Sequence, residues 1–220
     1  MVQDNFGDDV GSEGFAASEA YFSAESESEA VEILERLRVR YVLVGPTGSG
    51  HGHGYGPASL FARLHREGEA AAGGGSPIST TSLDRHRLVY ESEPLDARGD
   101  EPQWMLFAVV PGARLVGTAE PGAVIEASLG LRTRRGRSFH FVARAAADAD
   151  GRYVLVLPYA SGARGEVESA AHYEVHDVHD VQSGGKMAEV SVTEEQVQRG
   201  ELVTGPAVQA RPGAGEDRRG

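Results

Sequence analysis

Closely spaced histidines suggest the first chemistry that this sequence could perform. His51 and His53 are separated by one glycine, and two imidazoles at this spacing on an extended segment can share a metal ion. No Cys, Asp or third His lies beside them, and the neighbouring glycines make this segment costly to order. We therefore interpret GPTGSGHGHGYGP first as a surface loop, with His51 and His53 kept as candidate metal ligands.

A second group of possible ligands lies in the run AAHYEVHDVHD, which contains His172, His176, His179, Asp177 and Asp180. His176 and His179 would converge only on a helix, whereas the run alternates as a strand does. The preferred interpretation is a strand with polar surface residues at its end. A divalent metal site that includes Asp177 and Asp180 is the alternative.

Asp148 and Asp150 alternate as oxygen ligands of a calcium loop do. A calcium loop of the EF-hand kind needs a third acidic or amide position and a distal Glu, and neither is present. Asp150 followed by Gly151 is better explained as a hairpin turn that needs a positive φ.

Two enzyme signatures are missing from the sequence. The glycine-rich run GPTGSGHG follows an apolar segment, but it lacks the Gly-Lys-Ser/Thr that would hold phosphate and magnesium. No Gly-x-Ser-x-Gly nucleophile elbow occurs. A metal-dependent hydrolase built on the histidines is therefore the enzyme class that the residues alone leave open.

The first half of the chain is predicted to form a small α/β unit, because helical and strand patterns alternate along it. The predicted elements are a helical region at 15–37 with a polar break, a strand at 41–44, a helix at 58–66, and strands at 86–91 and 104–110.

The stretch 111–159 has the pattern of an antiparallel β-sandwich, since short alternating runs are separated by Pro-Gly, Arg-Gly and Asp-Gly. The fold class is therefore α+β, with an α/β domain at 1–110 and an Ig-like or carboxypeptidase-regulatory-like sandwich at 111–205. The tail 206–220 is predicted to be disordered. Predicted strands lie at 113–118, 123–131, 138–146, 152–158, 165–175 and 186–193, with a short helix at 194–199.

Composition narrows the possible partners. The formal net charge of -12 over 220 residues argues against a nucleic-acid surface and gives no attraction to anionic lipid. The absence of cysteine excludes disulfides and thiol catalysis. No apolar run reaches the roughly 18–20 residues that span a bilayer, and the N-terminus has no signal-peptide pattern. We expect a soluble chain that would need an upstream segment to be exported.

Pairs of segments, in a fixed order, resemble one known family, the oligosaccharyltransferase catalytic subunits of the archaeal and bacterial single-subunit kind. The resemblance is to the C-terminal soluble region of that family and covers about residues 1–205. The segments are 4–7 (DNFG) with 40–44 (RYVLV), 55–65 (YGPASLFARLH) with 86–91 (HRLVYE), and 111–114 (PGAR) with 150–153 (DGRY).

This resemblance implies transfer of a lipid-linked oligosaccharide to the Asn of Asn-x-Ser/Thr acceptors, at the extracytoplasmic side of a membrane. It implies Mg or Mn held by acidic residues of an upstream membrane domain, which would be the partner of this chain. The family's Trp-Trp-Asp-Tyr-Gly motif is absent, and Trp104 is the only tryptophan. The chain is therefore expected to lack catalytic residues of its own and to be inactive alone.

A second family motif lies on a helix that frames the pocket for the acceptor Ser/Thr, and the matching helix here is 57–65. Ala58 and Phe61 stand where the bacterial pattern has Met and Ile. Ala58, Ser59 and Phe61 are thus implied as acceptor-pocket candidates, with simple helix packing as the alternative. The competing function is an extracytoplasmic, non-catalytic module that binds carbohydrate or protein.

Overall fold

The computed structural model describes residues 11–45, 54–67, 82–94, 102–181 and 187–208. His51, His53 and the DNFG segment lie outside these ranges. The predicted α+β class is confirmed, since helices and a first sheet are followed by two sheets of a sandwich. Within the described ranges, no helix is long and apolar enough to cross a membrane.

The first part contains three helices, α1 (Gly11–Ser23), α2 (Glu27–Arg36) and α3 (Leu60–Glu67). The polar break predicted inside 15–37 separates α1 from α2. Helix α2 buries Ala30, Val31 and Leu34 on one side, which is the stripe expected for a helix packed on a core.

These helices pack on a three-stranded antiparallel sheet of β1 (Tyr41–Val44), β2 (His86–Glu91) and β3 (Met105–Val109), in the order β1-β3-β2. Val42 of β1 and Leu88 of β2 are both in register with Phe107 of β3, and all three side chains are buried. Because side chains alternate along a strand, their neighbours point to the opposite face of the sheet.

The sandwich consists of two sheets with a shared apolar core. Its strands are β4 (Ala113–Thr118), β5 (Val124–Thr133), β6 (Ser138–Ala146), β7 (Arg152–Leu157), β8 (Val167–Ser169), β9 (Tyr173–Asp177), β10 (Ala188–Val190) and β11 (Leu202–Ala207); α4 (Val178–Val181) and α5 (Glu194–Arg199) lie between them. One sheet has the order β10-β9-β5-β6, with β8 also paired to β5, and the other has the order β11-β4-β7.

The structure corrects the predicted start of the tail at residue 206. Strand β11 runs through Ala207, and it pairs in parallel with β4, so the sandwich is not purely antiparallel. A capping box between Thr193 and Gln196 starts α5, and Gly200 at φ 64 ends it and turns the chain back toward β4. The Tyr153 hydroxyl then donates to the Pro206 carbonyl, which holds the end of β11. Residues 209–220 lie outside the described ranges.

The predicted strand at 165–175 is divided into β8 and β9. Both pair with β5, at Leu131–Thr133 and Ile125–Ser128 respectively. The interruption lies at Ala170, whose N–H donates instead to the Gly130 carbonyl.

Candidate functional site

Ser59 is a helix-capping residue in this structure. Its hydroxyl accepts the N–H of Ala62 at 3.3 Å, three residues into α3, which satisfies one of the free donors of the first turn. Ser59 is only 2% exposed, so its hydroxyl faces the protein and not a ligand. The N–H of Leu60 donates to the Ala24 carbonyl at 2.7 Å and joins α3 to the end of α1.

The other two acceptor-pocket candidates lie nearer the surface. Ala58 is exposed, and Phe61 is partly buried. The Phe61 ring is the centre of an aromatic cluster, with centroids 5.2 Å from Tyr55, 5.7 Å from Phe22 and 4.4 Å from His65. Phe61 therefore packs within this cluster and keeps part of its surface accessible.

Tyr55 ties the segment before α3 to α1. Its hydroxyl donates to a carboxylate oxygen of Glu19 at 2.9 Å. Burial, followed by the hydrogen bond to Glu19 and the Glu19 charge, raises the pKa of Tyr55 to about 12. The phenol consequently stays protonated over the physiological range and keeps its donor role.

His65 connects α3 to the end of β1. Its Nε2 lies 2.8 Å from the Gly45 carbonyl oxygen, and its Nδ1 lies 2.9 Å from the Phe61 carbonyl oxygen. Both ring nitrogens thus contact backbone carbonyl oxygens of this chain, and the contact with Gly45 positions the helix against the end of β1. Helix α3 is thus fixed at both ends, with Phe61 in its first turn and Ala58 in the turn that precedes it.

A buried Tyr–His–Glu chain is the polar feature that sequence reasoning missed. The Tyr21 hydroxyl lies 2.9 Å from His86 Nε2, and His86 Nδ1 lies 2.7 Å from a Glu27 carboxylate oxygen. Tyr21 and His86 are almost fully buried, so no substrate reaches this hydroxyl. The chain of contacts joins α1, α2 and β2, and its role in this geometry is structural.

The charges around this chain are strongly coupled. Burial alone would raise the pKa of Glu27, but the bond and charge of His86 and the N–H groups of Arg85 and Asp84 outweigh it, and the pKa is lowered. Burial and, to a smaller extent, the Glu27 charge raise the pKa of Asp84 to about 7, against the opposing effect of Arg63. No local sequence pattern predicts this network, because His86 lies 59 residues from Glu27 and 65 residues from Tyr21.

The metal candidates do not converge in the described ranges. His172 Nε2 lies 3.6 Å from a carboxylate oxygen of Glu189. His176 Nε2 lies 3.7 Å from a carboxylate oxygen of Glu126. Asp177 is buried, and its carboxylate accepts the N–H of His179 at the start of α4. Among the residues that the structure describes, no group of three His, Asp or Glu side chains is placed to hold a metal ion.

Asp148 and Asp150 form the predicted turn. The Asp148 carboxylate accepts the N–H groups of Asp150 at 2.9 Å and Arg152 at 2.8 Å, and Gly151 has φ 74. This is the turn chemistry expected of an Asp before a positive-φ glycine. The predicted positive-φ turn is present, but it is not a hairpin, because β6 and β7 belong to different sheets and the turn leads the chain from one sheet to the other.

A small cleft of about 210 Å³ lies between β2 and the sandwich. Its lining includes Arg87 of β2, Glu194 of α5, Tyr159 and Leu131. Arg87 and Glu194 form a bidentate ion pair, in which Nη1 and Nη2 donate to the two carboxylate oxygens at 2.7 and 2.6 Å. The Arg87 bond is the main cause that lowers the pKa of Glu194. Because 107 residues separate this pair, its pairing was not readable from the sequence.

Comparison with known proteins agrees with the resemblance found in the sequence. Residues 112–203 match the model of the archaeal glycosylation protein B long peripheral domain. A search of curated proteins by sequence gives no match.

Solved structures of the Archaeoglobus fulgidus oligosaccharyltransferase share the fold. The crystal structure with Zn and sulfate aligns with a TM-score of 0.64 at 16% identity, over 86% of this chain and 36% of that one. The structure tethered to an acceptor peptide containing the NVT sequon aligns with a TM-score of 0.65 at 16% identity, over 86% and 33%. The AglB complex with an inhibitory peptide and a dolichol-phosphate gives 0.63 at 16% identity, over 87% and 33%.

The chain spans about a third of the length of these structures. The family match covers the sandwich, and the structural match extends over most of the chain. Residues 112–203 are therefore similar to the archaeal glycosylation protein B long peripheral domain, and the chain shares the fold of about a third of the Archaeoglobus fulgidus oligosaccharyltransferase.

Proposed function

We propose that this chain is the extracytoplasmic, non-catalytic end of an enzyme that transfers a lipid-linked oligosaccharide to the Asn of Asn-x-Ser/Thr acceptors. The observation that carries the proposal is the agreement of two independent comparisons. The family match identifies the sandwich, and the fold match includes the helices and the first sheet as well. The upstream membrane domain of the same enzyme is its partner in this proposal.

The helix α3 is the part of the chain that would meet the acceptor polypeptide. Ala58 is exposed and Phe61 is partly exposed, while Ser59 holds the first turn in place. The contacts of Tyr55 with Glu19 and of His65 with Gly45 restrain the helix on both sides. Ala58 and Phe61 would then offer apolar surface to the acceptor. Ser59 would not contact the acceptor and would contribute by capping the first turn of α3.

The family resemblance implies that Mg or Mn is held by the upstream membrane domain and not by this chain. No three suitable side chains converge in the described ranges, and the carboxylates near the site are already bonded, as Glu19 is to Tyr55 and Glu27 is to His86. We therefore assign no step of the transfer to a metal on this chain. The Zn and sulfate in the Archaeoglobus fulgidus structure are bound to that protein, and we transfer no metal site from it to this chain.

The proposal is tested by assaying acceptor-peptide glycosylation with the chain alone and with the chain joined to the oligosaccharyltransferase membrane domain encoded in the same genome. We expect turnover only in the joined protein, and only with Asn-x-Ser/Thr peptides. Turnover by the isolated chain would disprove the non-catalytic role. A joined protein that is folded and inserted, yet inactive, would contradict the assignment and favour a separate binding module.

A further inference from the structure

The outer face of the first sheet, on the side away from the helices, carries a contiguous set of aromatic and leucine side chains. Leu43, Leu106 and Tyr90 form one row across the three strands, because Leu43 and Tyr90 are both in register with Leu106. Tyr41 precedes Leu43 by two residues and Trp104 precedes Leu106 by two, so alternation places both on this face. Tyr41 is 55% exposed, Leu43 and Tyr90 are 41% exposed, and Trp104 is 40% exposed. We call these five residues the aromatic face.

The side chain of Trp104 is held in place before any ligand arrives. Gly45 has no side chain, and a Cβ added there would lie 2.9 Å from one carbon of the six-membered ring of Trp104 and 3.4 Å from two others. The ring therefore lies over the residue that follows β1. The Trp104 backbone is fixed as well, since its N–H donates to Ser92 Oγ and its carbonyl accepts the Ser92 N–H, both at 2.9 Å. A ring that is already ordered loses little conformational entropy when a ligand stacks on it.

The charges around the aromatic face do not favour an ionic ligand. Its five side chains are uncharged, and the arginine at each end of the face is already paired. Arg87 donates to both carboxylate oxygens of Glu194 at one end, and Arg135 pairs with Glu93 at the other. The connection from β2 to β3 contains four acidic residues and one arginine, in a chain of net charge -12. Anionic ligands are therefore repelled, and the face matches an uncharged ligand.

The size of the aromatic face matches a small ligand better than a second protein. Three aromatic residues of about 150–250 Å² each, at roughly half exposure, offer together with the two leucines on the order of 400 Å². A stable protein interface buries about 800 Å² on each partner, so the face is too small for a second copy of the chain. Three strands about 4.8 Å apart make it about 10 Å wide, and it extends about 13 Å from Trp104 to the row of Tyr41. These are the dimensions of a short oligosaccharide.

Sugar rings have the chemistry that complements this face. A pyranose presents C–H groups on its flat side, and these are attracted to the electron-rich face of an aromatic ring. Its hydroxyl groups lie around the edge of the ring. The Arg87–Glu194 and Arg135–Glu93 pairs border the aromatic face, and their carboxylates and guanidinium groups are acceptors and donors for such hydroxyls.

We propose that the aromatic face binds an uncharged part of an oligosaccharide that is already attached to a polypeptide, with sugar rings stacked on Trp104, Tyr90 and Tyr41. This inference rests on the proposed function, which supplies the glycan. Helix α3 packs on the opposite side of the sheet, where Val42 and Val44 are buried. The aromatic face thus holds a glycan from an earlier transfer while α3 meets the next acceptor residue.

Trp104 is the only tryptophan, so its fluorescence reports directly on the aromatic face. The probe is a glycopeptide prepared by protease digestion of the N-linked glycoproteins of the source cells, and the same peptide without the glycan is its control. We expect a saturable change in Trp104 emission with the glycopeptide only. We also expect upfield NMR shifts of sugar C–H protons, which are the signature of stacking on an aromatic ring. High salt should leave the affinity unchanged, because the contact is uncharged.

Two variants and two matched controls locate the contact. Trp104→Ala should weaken glycopeptide binding, measured by the NMR shifts, about tenfold or more, as the loss of one stacked aromatic ring does for nucleic-acid bases. Tyr90→Ser should also weaken binding and keeps the Trp104 fluorescence. Val154→Ser on β7 and Phe15→Ser on α1 change residues that are 43% and 58% exposed, and should leave binding unchanged. Circular dichroism and thermal melting establish that each variant is folded.

Several results would overturn the inference. One is the absence of both the emission change and the sugar-proton shifts, and another is an equal loss of binding in the two control variants. Binding that disappears at high salt would assign the contact to charges and not to stacking. Shielding of Trp104 that grows with protein concentration without glycan would assign the face to a second copy. Tighter binding of the lipid-linked oligosaccharide than of the glycopeptide would assign it to the donor.

The binding measurement needs no transfer reaction, so it separates this inference from the proposed function. A negative binding result beside an active joined enzyme would refute the inference and leave the proposed function intact. The absence of N-linked glycoproteins from the source cells would overturn both.

Discussion

The carboxylate of Glu91, at the end of β2, is bound by the guanidinium of Arg137, which lies 46 residues later in the chain. Arg137 Nε donates to it at 2.9 Å, and the Thr133 hydroxyl donates to its other oxygen. The Glu91 side chain is 3% exposed. This contact joins the first sheet to the β5–β6 turn of the sandwich, so it connects the part that carries α3 to the part that matches the family model.

Arg137→Leu should lower the free energy of unfolding by about 3–5 kcal/mol, because it leaves a buried carboxylate without its cation. Chemical denaturation measures this change. Arg164→Leu is the matched control, since its pair with Glu168 is exposed and should contribute less than about 1 kcal/mol. Equal effects of the two substitutions would contradict a structural role of the Glu91 contact.

Tyr21→Phe should destabilise the protein by about 1–3 kcal/mol. The substitution keeps the ring but leaves His86 Nε2 buried without its partner. Tyr90→Phe removes a hydroxyl from an exposed ring and should change stability by less than about 0.5 kcal/mol. A neutral Tyr21→Phe would show that the buried chain of contacts is unimportant for stability.

Asp84 predicts a specific pH dependence of stability. Burial and the Glu27 charge raise its pKa from the ordinary 3.8 to about 7 in the folded protein. The folded state therefore retains the proton that the unfolded state loses. Its stability contribution is fully present below pH about 4 and is lost as pH rises toward about 7.

Asp84→Asn should remove this loss, so the variant should gain stability relative to the parent at pH 8 and differ little at pH 4. Urea denaturation at the two pH values measures the difference. A parent and variant with parallel pH profiles would refute the assignment. Glu27 acts in the opposite direction, because its lowered pKa gives stability that disappears as pH falls through its folded value.

Much of the fold could be predicted from local pattern. The bounds of β4, β6 and α5 coincide with those predicted, because alternation and turn residues such as Asp150-Gly151 are local signals. Strand β11 was missed because Gly205 and Pro206 read as a loop. Its pairing with β4 depends on the turn at Gly200 and on the distant Tyr153 hydroxyl.

The candidate site could be predicted only in part. The sequence predicts a helix at 58–66 that carries both Ala58 and Phe61, whereas α3 lies at Leu60–Glu67 and leaves Ala58 in the preceding turn. The capping role of Ser59 was not foreseen, since the apolar pattern suggested that the helix began earlier. The contacts of Tyr55 with Glu19 and of His65 with Gly45 join residues 36 and 20 positions apart, and no sequence pattern encodes such pairs.

The glycine at the β6–β7 turn gives a sharp test of the sandwich. Gly151 has φ 74, and an added Cβ would lie 2.5 Å from the Ala119 carbonyl oxygen. A left-handed alanine by itself costs roughly 1–2 kcal/mol. Gly151→Ala should therefore lower the free energy of unfolding by clearly more than this amount. Gly162→Ala is the control, since φ is 66 and no atom lies within 4 Å of the added Cβ. Similar melting temperatures for the two variants would contradict the close packing at this turn.

The central claim is tested most directly by the mass of an Asn-x-Thr acceptor peptide after incubation with lipid-linked oligosaccharide and the chain joined to its membrane domain. The account predicts a peptide heavier by one oligosaccharide with the joined protein, and an unmodified peptide with the chain alone or with an Asn-x-Ala peptide. A modified peptide in the presence of the chain alone would contradict the account. So would an unmodified peptide with a folded, membrane-inserted joined protein.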